Sequence, residues 1–71
     1  MGRNSVELTY NERQALKQAR LDAGYTQGEL AAEIGLTAVT ISNYEVGRHP
    51  VGDGTLRRFE ELLPEFEGVD R

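Results

Sequence analysis

The sequence predicts an all-α fold built from four short helices. Apolar residues recur at helical spacing in four segments, and residues that commonly start or end helices bound each segment. Short connections between the segments favour a compact bundle. No strand pattern, repeat or low-complexity stretch is recognisable. The predicted helices span residues 10–23, 27–34, 38–46 and 53–63.

The first helix is predicted to follow Thr9, because Thr9 and Glu12 have the spacing of a capping box. In a capping box the threonine oxygen accepts a hydrogen bond from a free N–H of the first turn, and the glutamate bonds back to the N–H of the cap. Gly24 provides the stop. The apolar residues on one face are Leu16, Ala19 and Ala23.

The second and third helices form the most informative part of the pattern. Thr26 and Glu29 make a second capping box, and Thr37 can cap a third helix that ends at Gly47. Gly35 lies in the tight turn between them and is expected to have a positive φ. A short glycine-containing turn between two helices predicts a helix-turn-helix. The apolar residues expected to pack inside this corner are Leu30, Ala31, Ile34, Leu36, Ile41 and Tyr44.

The last part of the chain predicts a loop at 49–52 and a fourth helix. Asp53 is expected to cap this helix, and Pro64 is expected to end or bend it. Its apolar residues are Leu56, Phe59, Leu62 and Leu63, and Phe66 is expected to fold back on the core. The predicted organisation is an N-terminal arm (1–8), the helical domain (9–64) and a short acidic tail (65–71).

Composition limits the possible function. The 71 residues predict one domain, and the absence of cysteine together with a single histidine, His49, argues against a disulfide framework or a metal site. No apolar run approaches the roughly 20 residues of a membrane span, and the N-terminus lacks an apolar signal core. We therefore expect a cytoplasmic protein without cofactor, metal or small-molecule ligand.

The charge balance argues in two directions. The net charge is −4, whereas many nucleic-acid binders are basic. Residues 1–24 carry +1, residues 25–49 carry −2 and residues 50–71 carry −3. The acidity therefore lies mainly beyond the predicted helix-turn-helix, so it weakens a DNA-binding interpretation without excluding it.

The predicted helix-turn-helix carries a family resemblance. Its pattern is Thr26-Gln27-x-Glu29-Leu30-Ala31-x-x-Ile34-Gly35-Leu36-Thr37-x-x-Thr40-Ile41-Ser42-x-Tyr44-Glu45-x-Gly47-Arg48. This pattern resembles the Cro and phage-repressor (Xre-type) helix-turn-helix proteins, and the match extends from about residue 16 to residue 63. The resemblance implies a compact lambda-repressor-like domain of four to five helices. It also implies that helix 38–46 enters the major groove of DNA.

Site residues are carried over from the resemblance position by position. The implied base-contacting residues are Ala38, Val39, Ser42 and Asn43. Asn43 has the amide that can bond adenine at two atoms, whereas Ala38 and Val39 can only pack on a thymine methyl group. Many relatives have Gln, Arg or Lys at these two places, so the operator sequence is not predicted. The alternative is that all four are ordinary solvated helix positions.

The resemblance also implies contacts that hold the protein on DNA. The implied phosphate-contacting residues are Gln27, Thr37, Thr40, Arg48 and Arg20. Helix N-termini favour anions, which supports Gln27, whereas Thr37 can serve simply as a cap. Arg20 and Glu45 are further expected to form an ion pair that fixes one helix against another. His49 is expected to be a neutral loop residue, and a solvated face is the default for Arg3, Arg13 and Lys17.

The expected function is a sequence-specific double-stranded DNA-binding transcriptional regulator of the repressor type, prokaryotic or phage-encoded and nucleoid-associated. A homodimer stays open, including one that forms only on DNA. The alternative is a protein-interaction module or antitoxin-type partner that keeps the fold, which the acidic tail and the net charge favour. Catalysis is not expected, because no cysteine nucleophile or phosphate-cradling glycine loop is present and Ser5 and Ser42 have no evident activating base.

Overall fold

The computed structural model describes residues 5–66, which contain four helices and one small sheet. The helices are α1 (Tyr10–Asp22), α2 (Gln27–Ile34), α3 (Ala38–Val46) and α4 (Asp53–Leu62), and the strands are β1 (Ser5–Val6) and β2 (Val51–Gly52). The predicted helical class is confirmed, and each helix bound agrees with its prediction to within about one residue. None of the helices in this described part has the length and apolar character to cross a membrane.

Both predicted capping boxes are present. The Thr9 side chain accepts from the N–H of Glu12 at 3.2 Å, and the Glu12 carboxylate accepts from the N–H of Thr9 at 2.7 Å. Thr26 and Glu29 repeat the arrangement at 3.0 and 2.9 Å. These bonds satisfy backbone donors that a helix start otherwise leaves unpaired, so α1 and α2 begin at fixed residues.

The corner between α2 and α3 follows the prediction. Gly35 ends α2 with φ of 75°, a left-handed conformation that glycine adopts at little cost. Its N–H donates to the carbonyl of Ala31. Thr37 then caps α3 by accepting from the N–H of Thr40 at 3.3 Å. Ala31 is buried, and its small side chain suits the close approach of the two helices.

The prediction of no strand was wrong. Ser5 pairs with Gly52 and Val6 pairs with Val51 in an antiparallel ladder, so part of the predicted arm and part of the predicted loop form a small sheet. Val51 is fully buried. Strands of two residues are too short to show an alternating pattern, and their pairing joins segments far apart in sequence.

The predicted cap of α4 was also wrong. Gly52 occupies the N-cap position and makes no side-chain cap bond, while Asp53 is the first helical residue. The Asp53 carboxylate instead lies 3.4 Å from Nε of Arg57, one turn further along. The helix ends at Leu62, and Leu63 is extended, as expected of a residue that precedes Pro64.

One hydrophobic core joins all four helices. Tyr44 of α3 meets Phe59 of α4 edge to face, with ring centroids 6.1 Å apart. Phe66 is buried in this core. The other buried apolar residues are Leu8, Leu16, Ala19, Leu30, Ala31, Ile41, Val51, Leu56 and Leu63. Predictions made for Arg3 and for the acidic tail beyond Phe66 lie outside the described residues.

Candidate nucleic-acid interface

The outward face of α3 combines exposed apolar side chains with two small polar ones. Ala38 and Val39 are exposed at the start of the helix, and Val46 is exposed at its end. Ser42 and Asn43 lie between them and are half-buried. Among residues 5–66 the Asn43 amide has no hydrogen-bond partner, so it is available to a ligand.

This face carries no charged side chain. Glu45 is the one ionisable carboxylate within Ala38–Val46, and it is directed inward with 7% of its surface exposed. An exposed carboxylate on this face would repel the phosphate groups of DNA. The internal placement of Glu45 therefore leaves a surface compatible with a polyanion.

A buried ion pair holds α3 against α1. Nε of Arg20 lies 2.8 Å from one carboxylate oxygen of Glu45, and Nη2 donates to the other at 3.3 Å. Nη1 of Arg20 donates to the carbonyl of Tyr25 at 3.0 Å. Both charged side chains are almost completely buried. The bidentate pair fixes the relative orientation of α1 and α3 through two parallel bonds.

Gln27 adds α2 to the same network. Its amide nitrogen donates to Glu45 at 3.1 Å, so the Glu45 carboxylate receives donors from two other helices. Gln27 is predicted to contact phosphate, and in the structure its side chain supports the carboxylate of α3. Its backbone N–H and that of Gly28 begin α2 and have no carbonyl partner within the helix. These two N–H groups retain the capacity to bind an anion.

An open cleft connects the start of α2 to the start of α3. Its volume is about 710 Å³, and its lining residues include Thr26, Gln27, Gly28 and Ala38. The unpaired N–H groups of α2 thus share one surface with the first base-facing position of α3. An anion bound at the start of α2 would therefore lie beside α3, and the outward face of α3 would stay free to contact the same ligand.

The other residues predicted to contact phosphate differ in whether their polar groups already have partners within the protein. Arg20 is buried and its charge is matched by Glu45, which favours a structural role over a phosphate contact. The hydroxyls of Thr37 and Thr40 are 3.0 Å apart and bond each other. Arg48 is exposed directly after α3 and has no ion-pair partner among residues 5–66, so its charge remains available.

Arg13 is predicted to lie on a solvated face, whereas the structure places it against the end of α3. Its Nη1 donates to the carbonyl of Leu8 at 3.0 Å, and its Cζ lies 5.7 Å from the ring centroid of Tyr10. The guanidinium packs so closely on Gly47 that a Cβ there would lie 2.9 Å from Cζ of Arg13. The sequence indicated Gly47 only as the end of a helix. Arg13, which packs on it, lies 34 residues earlier in the chain.

Basic side chains gather at this end of α3. Arg13, Arg48 and His49 line a small cavity of about 170 Å³, together with the acidic Glu7. His49 is exposed in the connection between α3 and α4. Within residues 5–66 no cluster of three histidine or carboxylate side chains is placed to hold a metal ion.

Replacing Gly47 with alanine is expected to destabilise the domain by about 2–3 kcal/mol. The φ of 84° costs an L-residue about 1–2 kcal/mol, and the Arg13 guanidinium must also move. Gly35→Ala is the matched control, because its φ is similar and a Cβ there meets nothing within 4 Å. Urea unfolding of both variants measures the difference. Equal losses would show that Arg13 does not constrain Gly47.

Comparison with known proteins agrees with this geometry. The family model described as helix-turn-helix matches residues 16–65, which include α2, α3 and α4. The chain is also 33% identical over 63 residues to an uncharacterized HTH-type transcriptional regulator of Archaeoglobus fulgidus. That alignment covers 89% of this chain and 28% of the archaeal protein, so the chain spans less than a third of that relative's length.

Proposed function

Because the chain belongs to the helix-turn-helix family, we propose that it represses transcription by inserting α3 into the major groove of an operator. Family membership and the archaeal relative support a DNA-binding regulator of transcription. The observation that carries the finer proposal is the charge-free outward face of α3, with anion-binding groups near both of its ends. This is a binding function that requires no catalytic group.

Base contacts are assigned to the outward residues of α3. Asn43 is the hydrogen-bonding reader, because its amide nitrogen can donate to N7 of adenine while its Oδ1 accepts from the N6 amino group. Its lack of a partner among residues 5–66 supports this role. Ala38 and Val39 supply apolar contacts, and Ser42 supplies a hydroxyl beside them.

Phosphate contacts are assigned to groups on either side of α3. The N–H groups of Gln27 and Gly28 bind one phosphate through the cleft beside Ala38. Arg48 binds another near the opposite end of α3, and the hydroxyls of Thr37 and Thr40 add phosphate contacts at the start of α3. Few cations contribute, so specific contacts must supply much of the affinity.

The experiment that tests this proposal replaces Asn43 with alanine. An operator is first obtained by selection from random duplex DNA, or from the DNA upstream of the gene itself. The variant is expected to lose about 10- to 100-fold in affinity for the operator, since a bidentate base contact contributes about 1–3 kcal/mol of discrimination. Fluorescence anisotropy measures the affinity, and circular dichroism checks that the helices are retained.

Asn11→Ala is the matched control, because Asn11 is exposed in the first turn of α1. It is expected to leave the operator affinity unchanged. Equal affinities for wild type, N43A and N11A would contradict the base contact. Absence of any preference for the selected operator over scrambled DNA would contradict the sequence-specific function.

Homodimeric binding and a nucleoid-associated, cytoplasmic location form part of the same proposal. Two copies on a palindrome would place their α3 helices about 34 Å apart, one turn of DNA. Footprint length separates the two cases, because a dimer protects two half-sites and a monomer protects one.

A second candidate function is an interaction module or antitoxin-type protein that retains the fold. The net charge of −4 and the acidic residues after α3 favour it, because non-specific DNA affinity comes chiefly from cation–phosphate contacts. Failure to bind any DNA at low salt would select this candidate over the repressor.

A further inference from the structure

The small cavity at the end of α3 brings together cationic side chains from two distant parts of the chain. Arg13 belongs to α1, whereas Arg48 and His49 follow α3 directly. The basic cavity is defined here as the space of about 170 Å³ that these three side chains help to line. The fold creates this cluster, because nothing in the local sequence joins α1 to the end of α3.

The Arg13 guanidinium has no counter-charge in the part of the chain that the structure describes. The ion pairs of residues 5–66 do not include it. Its Nη1 donates to the carbonyl of Leu8, its enclosed Nε has no hydrogen-bond partner there, and its Nη2 makes no hydrogen bond there either. A half-buried cation without a counter-charge costs free energy, because burial removes the water that would solvate it. A bound anion would lower that cost.

Groups within the protein offset only part of this positive charge. The ring of Tyr10 lies 5.7 Å from Cζ of Arg13, and the carbonyl end of α3 carries a partial charge of about −0.5. Glu7 also lines the basic cavity, but between residues 5 and 66 it forms no ion pair with either arginine. Two arginines and a histidine therefore face one carboxylate.

We propose that the basic cavity binds a phosphate-type oxyanion, held by Arg13, Arg48 and His49. Guanidinium groups match the geometry of phosphate oxygens, and a histidine ring donates one N–H even when it is neutral. One water molecule occupies about 30 Å³ of the liquid, so a cavity of this size has room for an ion of five heavy atoms. Several donors from two elements suit an anion with several acceptor oxygens.

Two sources can supply this chemistry, namely a phosphate ion free in solution and a phosphate of the DNA backbone. The inference does not require the proposed function, because a free anion can occupy the basic cavity without DNA. If both functions hold, a free phosphate and DNA would compete for Arg48, which is assigned above to a DNA phosphate. Operator affinity would then depend on the phosphate concentration.

The test titrates the purified full chain with sodium phosphate and follows its ¹H–¹⁵N NMR signals. The Nε–H of Arg13 is the diagnostic signal, because its enclosure should slow exchange with water. This signal and the backbone amides of residues 47–49 are expected to shift with a dissociation constant of about 1 mM, as a few charge-assisted hydrogen bonds in a partly open site imply. Sodium chloride at equal ionic strength controls for screening and should shift none of them.

Three variants at exposed positions assign the binding to the basic cavity. Arg48→Gln and Lys17→Gln each remove one exposed positive charge, but of the two only Arg48 lines the cavity. R48Q is expected to weaken phosphate binding about tenfold, the effect of one charge-assisted hydrogen bond, and K17Q should leave it unchanged. Glu7→Gln removes a repelling carboxylate and is expected to strengthen binding about twofold. Arg13 is kept, because it packs on Gly47.

The possible results separate the two sources and the two proposals. If phosphate binds the protein alone and weakens operator binding relative to chloride, free phosphate and DNA share the basic cavity. If phosphate binds alone and no DNA is bound, the proposed function fails and this inference stands. If only DNA shifts the Arg13 signal, the oxyanion is a DNA phosphate. If neither phosphate nor DNA shifts it, or if R48Q and K17Q weaken phosphate binding equally, the inference is overturned.

Discussion

Replacing Glu45 with alanine is expected to destabilise the domain by about 3–5 kcal/mol, because it leaves the Arg20 guanidinium buried without its counter-charge. Glu45 accepts from Arg20 and from Gln27, and both ionic side chains are almost completely buried. A small domain has a total stability of only about 5 kcal/mol. Urea unfolding followed by circular dichroism should therefore show a largely unfolded variant at low denaturant.

Two further variants sharpen this experiment. Glu33→Ala removes an exposed carboxylate from α2 and is expected to change the stability by no more than about 0.5 kcal/mol. The double variant Arg20→Met with Glu45→Leu removes both charges and is expected to recover much of the lost stability, because no unpaired charge is then buried. A loss below about 1 kcal/mol for E45A would contradict the structural role of the pair.

Replacing Phe59 with alanine is expected to cost about 3–5 kcal/mol. Phe59 is fully buried, and truncation loses both its apolar transfer energy and its contacts with the walls of the resulting cavity. Its edge-to-face contact with Tyr44 is also lost, which loosens the attachment of α4 to the inner side of α3. Thermal unfolding followed by circular dichroism measures the loss.

Leu62→Ala is the control on the same helix. Leu62 is partly buried, so its truncation should cost less than half as much as F59A. Near-equal costs for the two variants would contradict the central position of Phe59. Anisotropy at a temperature where F59A remains folded should further show weaker operator binding, since α3 is less firmly positioned.

The helices could be predicted from the sequence because their signals are local. Thr9 with Glu12, and Thr26 with Glu29, are capping pairs three residues apart, and their bonds form within one turn. Gly35 stops α2 for an equally local reason. Asp53 was misassigned as a cap because Gly52 can occupy the same position, and a side-chain preference of one residue does not decide between neighbours.

Long-range contacts could not be predicted in the same way. The ladder between β1 and β2 has no sequence period, and the packing of Arg13 on Gly47 requires that the start of α1 meet the end of α3. The inward bond of Gln27 to Glu45 likewise depends on how three helices meet. Each of these depends on tertiary geometry that spacing along the chain does not contain.

The candidate site was predicted where the family pattern could be followed residue by residue. That pattern indicated Ala38, Val39, Ser42 and Asn43, and whether these contact bases remains a prediction. Val46 was missed because nothing in its local sequence distinguishes an outward valine from a core valine. Its exposure in the folded chain supplies the distinction.

The ladder that joins Ser5–Val6 to Val51–Gly52 has a consequence for the order of folding. It closes a chain loop of more than 40 residues, whereas α2 and α3 are neighbours in sequence. Long loops carry a larger closure entropy, so early structure should form in the local contacts. We expect φ-values near zero for Val6 and Val51 and higher values at Leu30 and Ile41, which places formation of the β1–β2 ladder after the rate-limiting barrier.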